Sequence, residues 1–258
     1  MDQDFSDFVT LLKRKTNIDL SQYKEAQMKR RLTTLRQKHG YQTFQSYWQA
    51  LEKSESLMNE LLDRMTINVS EFYRNPARWA VLQERFLPDM FRANSRLNIW
   101  SAACSTGEEP YTLAMILSEL GQLRNSRLLA TDLDRNVLSK AQEGVYLERA
   151  LRDVPAACKE KYFTKSEGAF RVSEELKRHI RFQQQNLLHD TFDGGFDLIV
   201  CRNVMIYFTE EAKQDLYHKF SAALKPGGIL FVGSTEQIFN PSQYGFETAD
   251  TFFYRRAT

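Results

Sequence analysis

The 258-residue chain has few of the residues from which disulfide-stabilised or metal-dependent proteins are built. It has three cysteines, Cys104, Cys158 and Cys201, which are odd in number and match no spacing typical of a metal site. Its four histidines are scattered along the chain. The sequence therefore predicts reduced thiols, as in cytosolic proteins, with neither a disulfide framework nor a metal centre.

Long apolar runs and an excess of one charge are also lacking. No run reaches the roughly 18 apolar residues of a membrane-spanning helix, and Met1-Asp2-Gln3-Asp4 does not have the pattern of a signal peptide. The 35 basic residues stand against 33 acidic ones, a net charge of +2, which argues against nucleic acid as the partner. We expect a cytoplasmic protein without membrane insertion, large enough for one or two domains.

The first 66 residues carry apolar side chains at helical spacing and predict an all-helical N-terminal domain. Helices are predicted over 4–15, from a cap at Ser21 to Gly40, from Thr43 onward, and along the stripe from Leu57 to Met65.

The second of these predicted helices is strongly basic. Met28, Leu32 and Leu35 form a narrow apolar stripe at about 100° per residue. Glu25 is the single acid in this stretch, and the basic residues around the stripe are Lys24, Lys29, Arg30, Arg31, Arg36 and Lys38. Either a solvated helix face or a docking surface for an acidic partner accounts for this pattern.

Residues 97–110 predict a buried strand, a turn of small residues and the start of a helix, in which Pro110 suits the first turn. Asp132 ends the next apolar run. This is the layout of a nucleotide-binding fold whose acid binds ribose hydroxyls. Glu108 and Glu109 at the helix start would repel a pyrophosphate and attract a cation, such as the sulfonium and α-amino group of S-adenosylmethionine.

The remainder of the chain predicts an α/β domain. Phe196–Cys201 is a near-continuous apolar strand, the turn at 224–228 leads into a strand at 229–233, and 246–255 predicts a last strand or hairpin. Between them, 170–172 and 180–182 alternate like short strands and predict a small β insertion at about 158–185. The expected organisation is a helical domain at 1–66, a linker at 67–76 and an α/β domain at 77–258.

Four motifs in this chain resemble one family when they are taken together: Thr66–Arg74, Ser101–Tyr111, Cys201–Phe208 and Leu224–Gly228. They are similar to the CheR-type glutamate O-methyltransferases of chemotaxis receptors, within the class I S-adenosylmethionine-dependent methyltransferases. The resemblance spans nearly the whole chain. It implies a Rossmann-like methyltransferase domain with a small antiparallel β insertion after an all-helical domain.

The resemblance also implies a reaction and a set of residues. A methyl group of S-adenosylmethionine would pass to glutamates in the cytoplasmic methylation region of chemotaxis receptors, leaving S-adenosylhomocysteine. Glu109, or its neighbour Glu108, would meet the methionine amino group, and Asp132 the ribose. Arg74 and Tyr207 would face the substrate carboxylate as catalytic residues. The implied cofactor-binding residues are Asn68, Ser70, Arg74, Glu109, Asp132, Asn186, Leu187, Arg202 and Asn203.

For the partner, the resemblance implies receptor docking through the basic helix by a monomeric enzyme. The loop Lys165–Ala169 is shorter than in relatives that grip a pentapeptide tether on receptor tails, so we expect no tether site. Two other functions are compatible with the sequence: methylation of another substrate by the same fold, and a catalytically silent module that senses the cofactor.

Overall fold

The computed structural model describes residues 3–65 and 70–258. The first range is all-helical, as predicted, and its helices are α1 (Gln3–Thr16), α2 (Glu25–Lys38), α3 (Phe44–Leu51) and α4 (Glu55–Met65). They pack around one apolar cluster whose innermost side chains include Phe8, Leu12, Leu32, Tyr47 and Leu61. The buried members of this cluster all lie between Phe5 and Met65, and the partly buried Tyr23 packs against both this cluster and one in the α/β part.

The predicted start of the third helix is confirmed, and that of the second is wrong. Thr43 Oγ1 accepts a hydrogen bond from the Ser46 N–H at 3.1 Å, as an N-cap does. Ser21 lies instead in a short 3₁₀ turn, Leu20–Gln22, which Asp19 caps. The helix begins only at Glu25, because Tyr23 forms a β-bridge with Phe208 and its backbone is extended there.

A helical stretch with a π-helical turn at Leu82–Phe86 leads into the α/β domain. Its elements are α5 (Pro76–Val81), α6 (Leu87–Ala93), β1 (Leu97–Ala102), α7 (Glu108–Glu119), β2 (Ser126–Asp132), α8 (Arg135–Glu143), β3 (Val145–Leu147), α9 (Ala156–Tyr162), β4 (Phe163–Ser166), β5 (Ala169–Val172), α10 (Glu174–Lys177), β6 (Ile180–Gln184), β7 (Phe196–Cys201), α11 (Glu210–Ala223), β8 (Leu224–Val232), β9 (Phe246–Asp250) and β10 (Phe253–Arg256).

The main sheet has the strand order β6-β2-β1-β7-β8-β10-β9. Its strands from β6 to β8 run parallel, and β10 is antiparallel to both β8 and β9. Every residue of β7 is buried, which agrees with the apolar run that predicted it. The sheet therefore confirms the Rossmann-like class, with a terminal hairpin at one edge.

The strand expected at 180–182 is not part of the β insertion. β6 joins the main sheet, where Ile180 pairs with Leu128 of β2 in parallel. The small antiparallel sheet has the order β3-β5-β4, so 145–147 and 163–166 supply the partners of 169–172. A short alternating run does not reveal which sheet it joins, because β5 and the first residues of β6 both alternate between more buried and more exposed side chains although they lie in different sheets.

Cys104, Cys158 and Cys201 are free and buried. Within 3–65 and 70–258, no helix is long and apolar enough to cross a membrane.

Candidate active site

A pocket of about 370 Å³ lies at the carboxyl ends of the parallel strands of the main sheet. This is the edge at which open α/β sheets bind their ligands. The structure brings to its walls the following residues that the resemblance implied: Ser70, Arg74, Glu109, Asp132, Asn186, Leu187, Arg202, Asn203 and Tyr207. Asn68 lies outside the described residues.

The loop after β1 has a strained backbone where it meets the pocket. Ala103 and Ser105 adopt positive φ values of 60° and 49°, which non-glycine residues rarely do. Gly107 has φ 97°, and a Cβ there would lie 2.9 Å from the Cβ of Ala141 on α8. Strain of this kind is typical of functional sites, since the surrounding fold must hold it in place.

Asp132, at the end of β2, is held firmly with its carboxylate toward the pocket. Its two oxygens accept hydrogen bonds from the backbone N–H groups of Ser105, at 2.8 Å, and Asp134, at 3.0 Å. Burial raises the pKa of this carboxyl to about 6. Each carboxylate oxygen has a second lone pair, so the group can still accept from two neighbouring hydroxyls of a sugar.

The two glutamates at the start of α7 have different surroundings. Glu109 lines the pocket and accepts from the Ser101 hydroxyl at 2.8 Å, and its removal from water raises its pKa to about 7. Glu108 is buried away from the pocket lining, where it accepts from Thr106 at 2.7 Å and hydrogen-bonds Ser70. The geometry favours Glu109 over Glu108 as the acid that faces a cationic ligand.

The linker holds Arg74 at the pocket wall. The backbone carbonyl of Arg74 accepts hydrogen bonds from Trp79 Nε1 at 3.0 Å and from Arg202 Nη2 at 2.8 Å. The residues on either side, Tyr73 and Asn75, have φ values of 51° and 61°. A bulky residue such as tyrosine is an outlier in this region of backbone conformation, so the tertiary contacts impose the shape of the linker.

Arg202 is a buried cation, and one of its N–H donors is unsatisfied within residues 3–65 and 70–258. Its guanidinium lies 5.2 Å from the ring centroid of Trp79 and 4.8 Å from that of Phe231. Among the described residues, its Nε finds no hydrogen-bond partner. Buried donors are normally satisfied, so this atom suits an acceptor brought by a ligand.

These groups fit S-adenosylmethionine. Glu109 would pair with its α-amino group, and the cations Arg74 and Arg202, which line the same pocket, would pair with its α-carboxylate. Asp132 suits the ribose, and Leu187 is an apolar part of the pocket wall against which the adenine would pack.

The helical domain forms a wall that the sequence analysis missed. Thr16, Ile18, Asn59 and Leu62 line the pocket, and Asn186 Nδ2 lies 3.4 Å from the carbonyl oxygen of Asn17. Thr16, Asn59 and Leu62 lie on helices and Ile18 follows the end of α1, and no local sequence pattern marks these four residues as part of a pocket.

Tyr207 is tied to the segment that precedes the basic helix. Its carbonyl accepts from the Lys24 N–H at 2.9 Å, and the Thr209 N–H donates to the Gln22 carbonyl at 2.9 Å. The Arg31 guanidinium lies 5.0 Å from the centroid of the Tyr207 ring, a cation–π contact. Tyr207 is therefore a partly buried pocket residue rather than a core residue, and Arg31 belongs to its surroundings.

The cysteines near the pocket are packing residues. Burial raises the pKa of the Cys104 and Cys201 thiols well above the ordinary value, which suppresses the reactive thiolate.

Two family models match this chain, and they meet near the linker. The model described as CheR methyltransferase, all-alpha domain, matches residues 3–66, and the one described as CheR methyltransferase, SAM binding domain, matches residues 68–253. The chain belongs to the CheR methyltransferase family. It is thus an S-adenosylmethionine-dependent methyltransferase, as the motifs predicted.

Curated relatives extend over most of this CheR-family chain. A chemotaxis protein methyltransferase of Listeria monocytogenes is 41% identical over 255 residues, which are 98% of this chain and 97% of that protein. The chemotaxis protein methyltransferase of Borreliella burgdorferi is 37% identical and covers 86% and 83%. Chemotaxis protein methyltransferase 1 of Pseudomonas aeruginosa is 35% identical and covers 93% of each chain.

Proposed function

We propose that this enzyme transfers a methyl group from S-adenosylmethionine to glutamate side chains in the methylation region of chemotaxis receptors. The products are glutamate methyl esters and S-adenosylhomocysteine. The observation that carries the proposal is one pocket that combines Glu109 and Asp132 with Arg74 and Tyr207. The first pair suits the amino group and the ribose of the cofactor, and the second pair suits an incoming carboxylate.

The proposed chemistry needs no general base. A glutamate carboxylate, with an ordinary pKa of about 4.3, is already ionised at neutral pH. S-adenosylmethionine supplies a methyl group on a positively charged sulfur, which keeps the electron pair of the broken bond while a carboxylate oxygen forms the new one. The reaction therefore requires neither a catalytic histidine nor a catalytic thiol.

The protein's own residues have to position the carboxylate and exclude water. Arg74 would orient it with a charge-assisted hydrogen bond and Tyr207 with a neutral one, so that oxygen and methyl carbon meet at about 3–3.5 Å. The linker, Trp79 and the wall from the helical domain surround the same pocket. Shedding water around the carboxylate favours a reaction that consumes an anion and a cation.

Transfer of radiolabelled methyl groups tests the proposal. The enzyme is incubated with labelled S-adenosylmethionine and membranes that contain chemotaxis receptors. We expect label in receptor glutamates that mild base releases as methanol, because methyl esters are base-labile. Base-stable label, or label in another molecule, would contradict the proposal. The Asp132→Ala variant is the matched negative control.

We propose that the basic helix α2 docks the receptor, and its contacts narrow the set of docking residues. Arg36 pairs with Asp4 and Lys38 with Glu60. Arg31 contacts Tyr207, as described above. The Lys29 ammonium lies 5.5 Å from the centroid of the Phe5 ring. Lys24, directly before α2, uses its backbone N–H for the bond to Tyr207 and not its side chain, and Arg30 is exposed. Lys24 and Arg30 are therefore the side chains of choice for an acidic receptor surface.

We further propose the division into a docking domain at 1–66, a linker at 67–76 and a catalytic domain at 77–258. We propose a cytoplasmic location, since the methylation region of the receptors is cytoplasmic.

We also propose that the enzyme is a monomer. Light scattering with and without S-adenosylhomocysteine measures the oligomeric state, and a dimer would contradict this proposal.

A further inference from the structure

Glu236 is a buried acid that none of the motifs assigned to the reaction contains. It lies four residues beyond the end of β8, and only 5% of the residue is exposed. Its carboxylate accepts from three backbone N–H groups, those of Asn203 at 2.6 Å, Met205 at 2.7 Å and Gly233 at 2.9 Å. One side chain thus fastens together the loops that follow two neighbouring strands, β7 and β8.

The loop that Glu236 holds carries pocket residues at both of its ends. Arg202 and Asn203 lie at its start, and Tyr207 closes the short 3₁₀ turn Met205–Tyr207. Asn203 has a φ of 62°, so its backbone is in the left-handed region. The short hydrogen bond to its N–H offsets the cost of that conformation.

Gly233 makes this contact possible. A Cβ at that position would lie 2.3 Å from Glu236 Oε2 and 2.9 Å from the backbone nitrogen of Asn203. The residue after β8 must therefore be a glycine for the carboxylate to reach across. Both oxygens of Glu236 face N–H donors, so a side-chain amide would place its own N–H groups against at least one of them.

We infer that Glu236 is a positioning residue for methyl transfer, which holds the 202–207 loop so that Asn203 and Tyr207 meet cofactor and substrate. It acts through the backbone of that loop and touches neither ligand itself. Its kinetic consequence rests on the proposed function, whereas its effect on the loop can be measured without any receptor.

Hydrogen exchange and turnover of three variants test this inference. Glu236→Gln keeps the shape and removes one acceptor oxygen, and Glu236→Asp keeps the charge but shortens the reach. Gly233→Ala places a Cβ against the same carboxylate from the residue after β8. In each of them we expect amide exchange at 202–208 to speed up by about tenfold or more while the rest of the main sheet keeps its protection. We expect kcat on receptor membranes to fall by about tenfold or more in parallel.

Asp197→Asn is the control for general destabilisation. Asp197 is another buried acid at this sheet, and it accepts from the Asn98 N–H and from Lys225 Nζ, each at 2.8 Å, toward the amino end of β7. We expect its variant to melt earlier and to retain both the protection of 202–208 and kcat below its melting temperature. Faster exchange throughout the sheet in Glu236→Gln would mean a structural role only and would overturn the inference.

The outcomes separate the inference from the function that it serves. If the wild-type enzyme does not methylate receptors, the proposed function fails, and exchange at 202–208 still decides whether Glu236 holds the loop. Unchanged local exchange in folded Glu236→Gln, or normal turnover by Glu236→Asp, would overturn the positioning role. The Asp variant excludes a purely electrostatic effect on Arg202, because its charge is the same.

Discussion

At the scale of single residues, we expect the binding of cofactor to change the protonation of Glu109. Burial raises the pKa of Glu109 to about 7, so that this carboxyl holds a proton part of the time at neutral pH. A cationic amino group favours the ionised carboxylate. We therefore expect S-adenosylhomocysteine to bind more tightly as pH rises from about 5.5 to 7.5 and to release protons on binding. Calorimetry in buffers of different ionisation enthalpy measures that release.

The control for this prediction is Glu109→Gln, which cannot ionise. We expect its weaker binding to lose most of the pH dependence above about pH 6.5, and the remainder at lower pH to come from Asp132, whose pKa is about 6. Binding by the wild type that is independent of pH throughout this range would contradict the assignment of Glu109.

Arg74 and Tyr207 should affect turnover more than folding. Arg74→Ala removes the cation that we propose orients the carboxylate, so we expect the rate to drop by orders of magnitude. Arg74→Lys should restore only part of the rate, because an ammonium lacks the planar fork of donors. Tyr207→Phe removes one hydroxyl, and we expect a loss of about tenfold. Methylation assays at saturating cofactor and thermal melts of each variant measure both effects. An Arg74→Ala enzyme with the wild-type rate would show that this residue has no catalytic role.

At the scale of elements, the basic residues in and directly before α2 differ in whether their side chains are already engaged by other residues of the protein. We expect Lys24→Glu/Arg30→Glu to raise the Michaelis constant for receptor several-fold and to leave cofactor affinity unchanged, because neither residue lines the pocket. Added salt should weaken the wild-type reaction in the same way, since exposed charges are screened over about 8–10 Å.

The matched control for α2 is Arg124→Glu. Arg124 is exposed in the turn before β2, at the opposite edge of the sheet from the pocket. Charge reversal there should leave receptor kinetics as they are. Equal kinetics for both variants would mean that α2 is only a solvated helix face.

The hairpin of the small sheet has a short turn, from which we predict how the enzyme treats receptors with and without a tether. β4 and β5 are joined by Glu167 and Gly168 alone, whose φ values of 50° and 81° suit a tight two-residue turn. We expect this enzyme to methylate receptors with and without a C-terminal pentapeptide equally well. Micromolar binding of such a peptide, measured by calorimetry on the full chain, would contradict this prediction.

At the scale of the whole molecule, the pocket joins the helical domain to the α/β domain. Residues from both line it, and Asn136 Nδ2 also donates to Asp63 of α4 at 3.0 Å. Ligand at about 100 times its dissociation constant stabilises by about 2.7 kcal/mol, which for a chain of this size raises the melting temperature by about 5–10 °C. We expect S-adenosylhomocysteine to shift the unfolding of both domains together in scanning calorimetry.

The control for this shift is Asp132→Ala, which should respond less at the same ligand concentration. A ligand-independent transition of the helical domain would contradict the role of that domain as a wall of the pocket.

Much of the fold and the site was accessible from the sequence, for identifiable reasons. The helices of the N-terminal domain and the strand Phe196–Cys201 follow from apolar periodicity and from burial on both faces. The acidic start of α7 and Asp132 follow from the order strand, turn, helix, strand. The motifs around Arg74 and Tyr207 predicted that the linker and the 202–207 loop belong to the site. Apolar periodicity gives no such indication.

Only the tertiary structure decided which strand joins which sheet and which side chains meet. The pattern of 180–182 is the same in either sheet, and its pairing with β2 depends on the path of the chain between them. Likewise, in the sequence Ile18 resembles a core residue, Arg31 resembles a surface cation, and Glu236 resembles an acid in a loop. Each of these side chains contacts the pocket or its loops from a segment that is distant in sequence. The spacing of neighbouring residues does not predict which way a side chain points after folding.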